Sequence, residues 1–148
     1  MRALRTSTLP LLIVVVALLS CQTLSPPTRA TIDGTWTAAS AQRNGQPDPA
    51  VTGHQLTVAG NTFVIKRGGQ TLYAGTVTTD PSRTPAHIDF HHTEGAAKGT
   101  TWRGVYALQG DTLTIADNAA DTTRPRPTAL AAPADSGHVV VVFTRGAR

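Results

Sequence analysis

One stretch of the 148-residue chain places ionisable metal-ligand residues at regular spacing: His87, Asp89 and His91. On a β-strand, alternation puts all three on one face, and imidazole plus carboxylate is a donor set that zinc accepts, with Glu94 as a further oxygen. Same-face neighbours on a strand stand about 7 Å apart, however, so a metal would need ligands from an adjacent strand, such as His54 or His138. The plainer assignment turns Ile88 and Phe90 inward and leaves His87, Asp89 and His91 in water. On that assignment no metal site and no cofactor are expected.

Other chemistries find less support. Ser40, Ser82 and Ser136 sit beside turns or strand ends, and none is framed by a Gly-x-Ser-x-Gly elbow. Glu94 is the single glutamate and the aspartates are scattered, so no spacing suggests a tuned carboxylate pair. The run Glu94-Gly95-Ala96-Ala97-Lys98-Gly99-Thr100 has Lys-Gly-Thr where a phosphate loop needs Gly-Lys-Ser/Thr, and no helix follows it. A non-catalytic protein is expected.

The remaining reactive side chain is Cys21, the only cysteine, which excludes an intrachain disulfide and a Cys-based metal site. It follows Arg2, Arg5 and an apolar run from Leu9 to Leu19, the layout of an export signal. That run is shorter than the roughly 20 residues a membrane span requires. Leu18-Leu19-Ser20-Cys21 resembles a lipobox, in which the thiol accepts a diacylglyceryl group before cleavage. The expected organisation is a lipoprotein signal peptide over 1–20, a lipidated tether over 21–31 with Ser25-Pro26-Pro27-Thr28, and a domain over 32–148. Acylation would anchor the protein to a membrane of the cell envelope. Gln22 after the cysteine, by resemblance to Gram-negative sorting rules, favours the outer membrane over the inner.

Removing Arg2 and Arg5 lowers the formal charge from +4 to about +2. No basic stripe with interleaved aromatics is present, so nucleic-acid binding is not expected. Arg124-Pro125-Arg126-Pro127 is the only dense basic patch, and its prolines suggest a loop.

What must position any site is a set of strands. From Ile32 onward, short alternating segments rich in Thr and Val are punctuated by Gly, Asp and Pro, and none supports a long amphipathic helix. The expected strands are Gly34–Ala41, His54–Ala59, Thr62–Lys66, Thr71–Thr78, Ala86–His92, Thr101–Leu108, Thr112–Ala116 and Val139–Thr144. Asn44-Gly45, Gly60-Asn61 and Gly68-Gly69 supply turns. Eight strands joined mostly by short links predict an all-β, antiparallel up-and-down barrel, with a two-sheet sandwich as the alternative. The stretch Asn118–Gly137 is long for a loop and is expected to hold a further short strand around Thr128–Ala131.

Gly34-Thr35-Trp36 at the start of the first strand resembles the Gly-x-Trp signature of the lipocalin and calycin barrels. The resemblance implies that Gly34, Trp36 and Arg145 close the barrel, with the arginine packed over the indole. A closer likeness runs from Ile32 to Arg145. Its motifs, in order, include Asp33-Gly34-Thr35-Trp36, Asn44-Gly45, Phe63, Tyr73-Ala74-Gly75-Thr76 and Asp80-Pro81. Thr84-Pro85-Ala86-His87-Ile88-Asp89, Gly104–Ile115, Arg126-Pro127-Thr128 and Val141-Val142-Phe143-Thr144-Arg145 complete it. The chain resembles a lipocalin-like domain family of uncharacterised function that is expanded in planctomycetes. Family members often carry Cys after the Leu-x-Ile strand, where this chain has Ala116-Asp117.

The resemblance implies a fold and a habitat but no reaction. The expected function is binding of a small or lipid-like ligand in the barrel, with Tyr73, Phe90, Trp102 and Tyr106 as lining residues. The alternative is an interaction or scaffolding module whose aromatics fill the core themselves.

Overall fold

The computed structural model describes residues 31–146. The expected signal peptide, the lipidation site Cys21 and nearly all of the tether lie outside the described residues.

Nine strands and no helix occur among the described residues. They are β1 (Gly34–Arg43), β2 (Gln46–Pro47), β3 (Gln55–Ala59), β4 (Thr62–Arg67), β5 (Gln70–Asp80), β6 (Ala86–Gly95), β7 (Thr101–Gln109), β8 (Thr112–Asp117) and β9 (Val139–Arg145). All neighbours are antiparallel, in the order β1-β3-β4-β5-β6-β7-β8-β9, and β9 returns to pair with β1. Eight strands therefore form a closed, lipocalin-like up-and-down barrel, and closure excludes the sandwich. β2 is a two-residue partner for the end of β1, reached through Asn44 and Gly45, both at positive φ.

Alternation assigns the inner face. Trp36 and Ala38 on β1, Leu56 and Val58 on β3, Phe63 on β4 and Val77 on β5 are buried. So are Ile88 and Phe90 on β6, Leu113 and Ile115 on β8, and Val139 and Phe143 on β9, forming one core. A bulge between Ala38 and Ser40 shifts the register of β1 against β9, so that Ala41 and Arg43, rather than Ser40 and Gln42, continue the inner face.

One end is sealed. Trp36 has no exposed surface, and its indole Nε1–H donates to the Ile32 carbonyl at 2.8 Å. The Arg145 guanidinium lies 4.1 Å from the Trp36 ring centroid, a cation–π contact, and its Nη1 donates to the Asp33 carbonyl. Gly34 makes this approach possible: its φ is +127°, and a Cβ there would lie 2.6 Å from Arg145 Nη1.

Residues 118–138 form no strand, so the short strand expected around Thr128–Ala131 is absent. Pro125, Pro127 and Pro133 deprive the segment of ladder donors. It covers the outside of the barrel instead. Val105 and Ala116 face outward yet are 1% and 0% exposed. Asn118 replaces the next rung of the β7–β8 ladder, its Oδ1 accepting from the Arg103 N–H at 2.8 Å.

Candidate functional site

Above the sealed floor the barrel is hollow. A cavity of about 490 Å³ opens at the opposite end, where β1, β4, β6 and β8 finish and β3, β5, β7 and β9 begin. Its wall is apolar in the lower part, formed by Leu56, Ile65, Phe90, Ile115, Val141 and Phe143. Around the mouth stand Arg43, Asp48, His54, Arg67 and Asp117.

Three of the four residues expected to line a ligand site meet here: Tyr73, Phe90 and Trp102. They belong to an aromatic cluster with Phe63 and His92, in which Tyr73 and Trp102 are edge to face at 5.0 Å and Phe63 and Phe90 at 4.9 Å. Such pairs hold rings in fixed orientation at about 0.5–1.5 kcal/mol each beyond their burial. Tyr106 is placed elsewhere. It pairs with Ile115 across β7–β8, but it lies toward the closed end, beside a separate 180 Å³ cavity with Ile32, Val77 and Pro81. Four residues along a strand carry a side chain about 13 Å, which is why Trp102 and Tyr106 share a face but not a site.

Of the polar groups of the mouth, the sequence singles out only His54, as a possible metal ligand. Asp117 ends β8 in the inward series Leu113, Ile115, Asp117, and pairs with Gly104. Its carboxyl is buried and accepts the Ala119 N–H at 2.9 Å. Desolvation pushes its pKa up to about 6, partly opposed by that hydrogen bond and by Arg43. Arg43 is itself paired with Asp48 at 2.8 Å.

His54 lies on the other side of the mouth. The β3–β4 register, Gln55 opposite Lys66, brings His54 level with Arg67. Burial, then the Arg67 charge, lowers its pKa, with Asp48 opposing, so the ring is neutral at pH 7. Its Nε2 is buried without a hydrogen-bond partner. His92, inside the aromatic cluster, is also held neutral by desolvation; its Nδ1 meets the Thr100 carbonyl at 3.3 Å and its Nε2 is likewise unpartnered.

On the histidine–aspartate face of β6, Asp89 and His91 are engaged by neighbouring side chains. Ile88 and Phe90 turn inward and His91 outward. Arg126, reaching over from the covering segment, holds both oxygens of Asp89 at 2.6 and 3.1 Å and donates to the Gly104 carbonyl at 2.6 Å. His91 Nδ1 pairs with Thr101 Oγ1 at 3.0 Å. Among the described residues no three His, Cys, Asp or Glu side chains converge as a metal site.

Asp117 and His54, the two cavity groups whose pKa is shifted, stand on β8 and beside β3, with β1 and β9 between them. Three strand spacings separate them by about 14 Å of wall, and no hydrogen-bonded nucleophile–base pair lines the cavity. Comparison with known proteins adds no name: no family model, no curated protein and no solved structure matches the chain.

Proposed function

We propose that this protein is a lipid-anchored lipoprotein of the cell envelope, of the lipocalin-like kind its motifs resemble, whose barrel lumen binds a small, largely apolar ligand without transforming it. The observation that carries the reading is the cavity of about 490 Å³ above the Trp36 floor. Its size falls among ligand sites, roughly 300–1,000 Å³, and its apolar wall with a few polar groups at one end has their usual composition.

Ile32 packs under the barrel at the closed end, where its carbonyl accepts the Trp36 indole N–H. The alternative, an interaction module with a filled core, has the lower barrel in its favour, where Trp36, Phe63, Ile88 and Leu113 are fully buried. The upper cavity weighs against it.

Mass spectrometry of the protein purified from membranes of its own cells tests both halves of this reading. Under denaturing conditions the chain should begin at acylated Cys21; under native conditions it should carry a further, non-covalent mass that organic extraction removes. A chain that keeps residues 1–20, or whose Cys21 is unmodified, overturns the anchor. An acylated chain carrying no additional mass overturns the ligand.

A further inference from the structure

The cavity is not electrically symmetric. Its lining carboxylates, arginines and histidine are Arg43, Asp48, His54, Arg67 and Asp117. Arg43 and Asp48 neutralise one another at 2.8 Å. Asp117 spends one carboxyl oxygen on the Ala119 N–H and stands across the barrel from Arg67. Arg67, like the outward-facing Arg103, forms no ion pair among the described residues, whereas Arg43, Arg83, Arg124, Arg126 and Arg145 each have a carboxylate partner. Beside it, His54 carries a buried Nε2 with nothing to bond. A buried polar nitrogen without a partner costs free energy, and a ligand head that draws the ring toward the mouth would relieve that cost.

The other polar groups on this wall are also unengaged. Tyr73 and Trp102, whose phenol and indole groups can donate, make no side-chain hydrogen bond among the described residues while lining the same cavity. The side of the lumen built by β3, β4, β5 and β7 thus offers donors, and one uncompensated positive charge, above an apolar well.

We infer that the ligand is a single-chain amphiphile with an anionic head, the head seated at the mouth between Arg67 and His54 and the apolar chain running down toward Phe90 and Phe143. The inference rests on the reading of the lumen as a ligand site and adds the chemistry of the ligand. At the roughly 30 Å³ that a water molecule occupies in the liquid, the cavity has room for about 16 non-hydrogen atoms, the scale of a medium-length acyl chain with its head. A guanidinium suits a carboxylate or phosphate head because its planar fork donates two parallel hydrogen bonds. The head remains at the rim, in partial contact with water, so its charge is not fully desolvated on binding.

The test is calorimetric titration of the purified chain, near neutral pH, with three probes of equal tail: dodecanoate and dodecyltrimethylammonium below their micelle concentrations, and dodecanol below its solubility limit. Dodecanoate should bind at least tenfold more tightly than dodecanol, about 1.4 kcal/mol, and the cation most weakly. Arg67→Gln should abolish the preference for dodecanoate while leaving dodecanol within twofold, which a merely destabilised barrel would not do. Equal binding of dodecanoate and dodecanol, tighter binding of the cation, or a preference that survives Arg67→Gln overturns the anionic head and leaves the apolar lumen standing. Failure of all three probes to bind overturns the lumen reading and this inference with it.

Discussion

Asp117 is the residue whose environment differs most from what its type prefers. Its carboxyl is buried in the cavity wall and raised from 3.8 to about 6. The folded chain therefore holds that proton more tightly than the unfolded chain, and between about pH 4 and 6 the site's contribution to stability falls as pH rises. At about 1.4 kcal/mol per pH unit the loss approaches 3 kcal/mol by neutral pH. Asp117→Asn keeps an oxygen for the Ala119 N–H and removes the ionisation. In urea unfolding the variant should match the wild type near pH 4 and exceed it by about 3 kcal/mol at neutral pH. No gain at neutral pH would contradict the burial of an ionised carboxylate. His54 and His92, lowered by desolvation, act in the opposite sense, costing stability as pH falls below 6.5, but both proteins share that cost. The position of Asp117 was legible in principle, since it extends the alternation of Leu113 and Ile115. That of Arg43 was not, because the bulge in β1 changes which residues face inward, and a bulge has no reliable side-chain signature.

At the level of elements, alternation and turn chemistry sufficed to place all eight barrel strands within a few residues of their observed ends. Strands with one wet face and one dry face write their period into the sequence. The same signal failed over residues 118–138, where burial comes from covering the outer face of β7 and β8 rather than from pairing. There a polar residue does the fastening: Arg126 bridges the segment to Asp89 on β6 and to the Gly104 carbonyl on β7. In sequence Arg126 looked like part of a solvated basic loop, and Asp89 like a possible ligand, because nothing local reports a contact 37 residues away. Arg126→Ala should cost about 1.5–3 kcal/mol, the range for hydrogen bonds to charged groups. Limited proteolysis should then cut within 118–138 faster than in the wild type, while the far-UV spectrum of the barrel is unchanged. Unaltered stability and cleavage would show that the outer cover is held by apolar contact alone.

The whole molecule divides along its axis into a packed floor and a hollow top. Floor and closure follow from the residues that prompted the lipocalin likeness, Gly34, Trp36 and Arg145, and the stacked geometry of the last two is what such a closure needs. The hollow was less legible: a count of aromatics does not tell a filled barrel from an open one, since that depends on which level of the barrel each ring occupies. Tyr106 went to the closed end, while Tyr73, Phe90 and Trp102 stayed at the open one. The central claim is that the upper cavity is the ligand site, and filling it is the most direct test. Val141 lines it from β9, and Val141→Phe places a ring in the lumen without touching the mouth. In parallel titrations with dodecanoate the variant should bind at least tenfold more weakly, with a melting temperature equal to or above that of the wild type. Undiminished affinity in a folded variant would place the ligand outside the barrel and contradict the account.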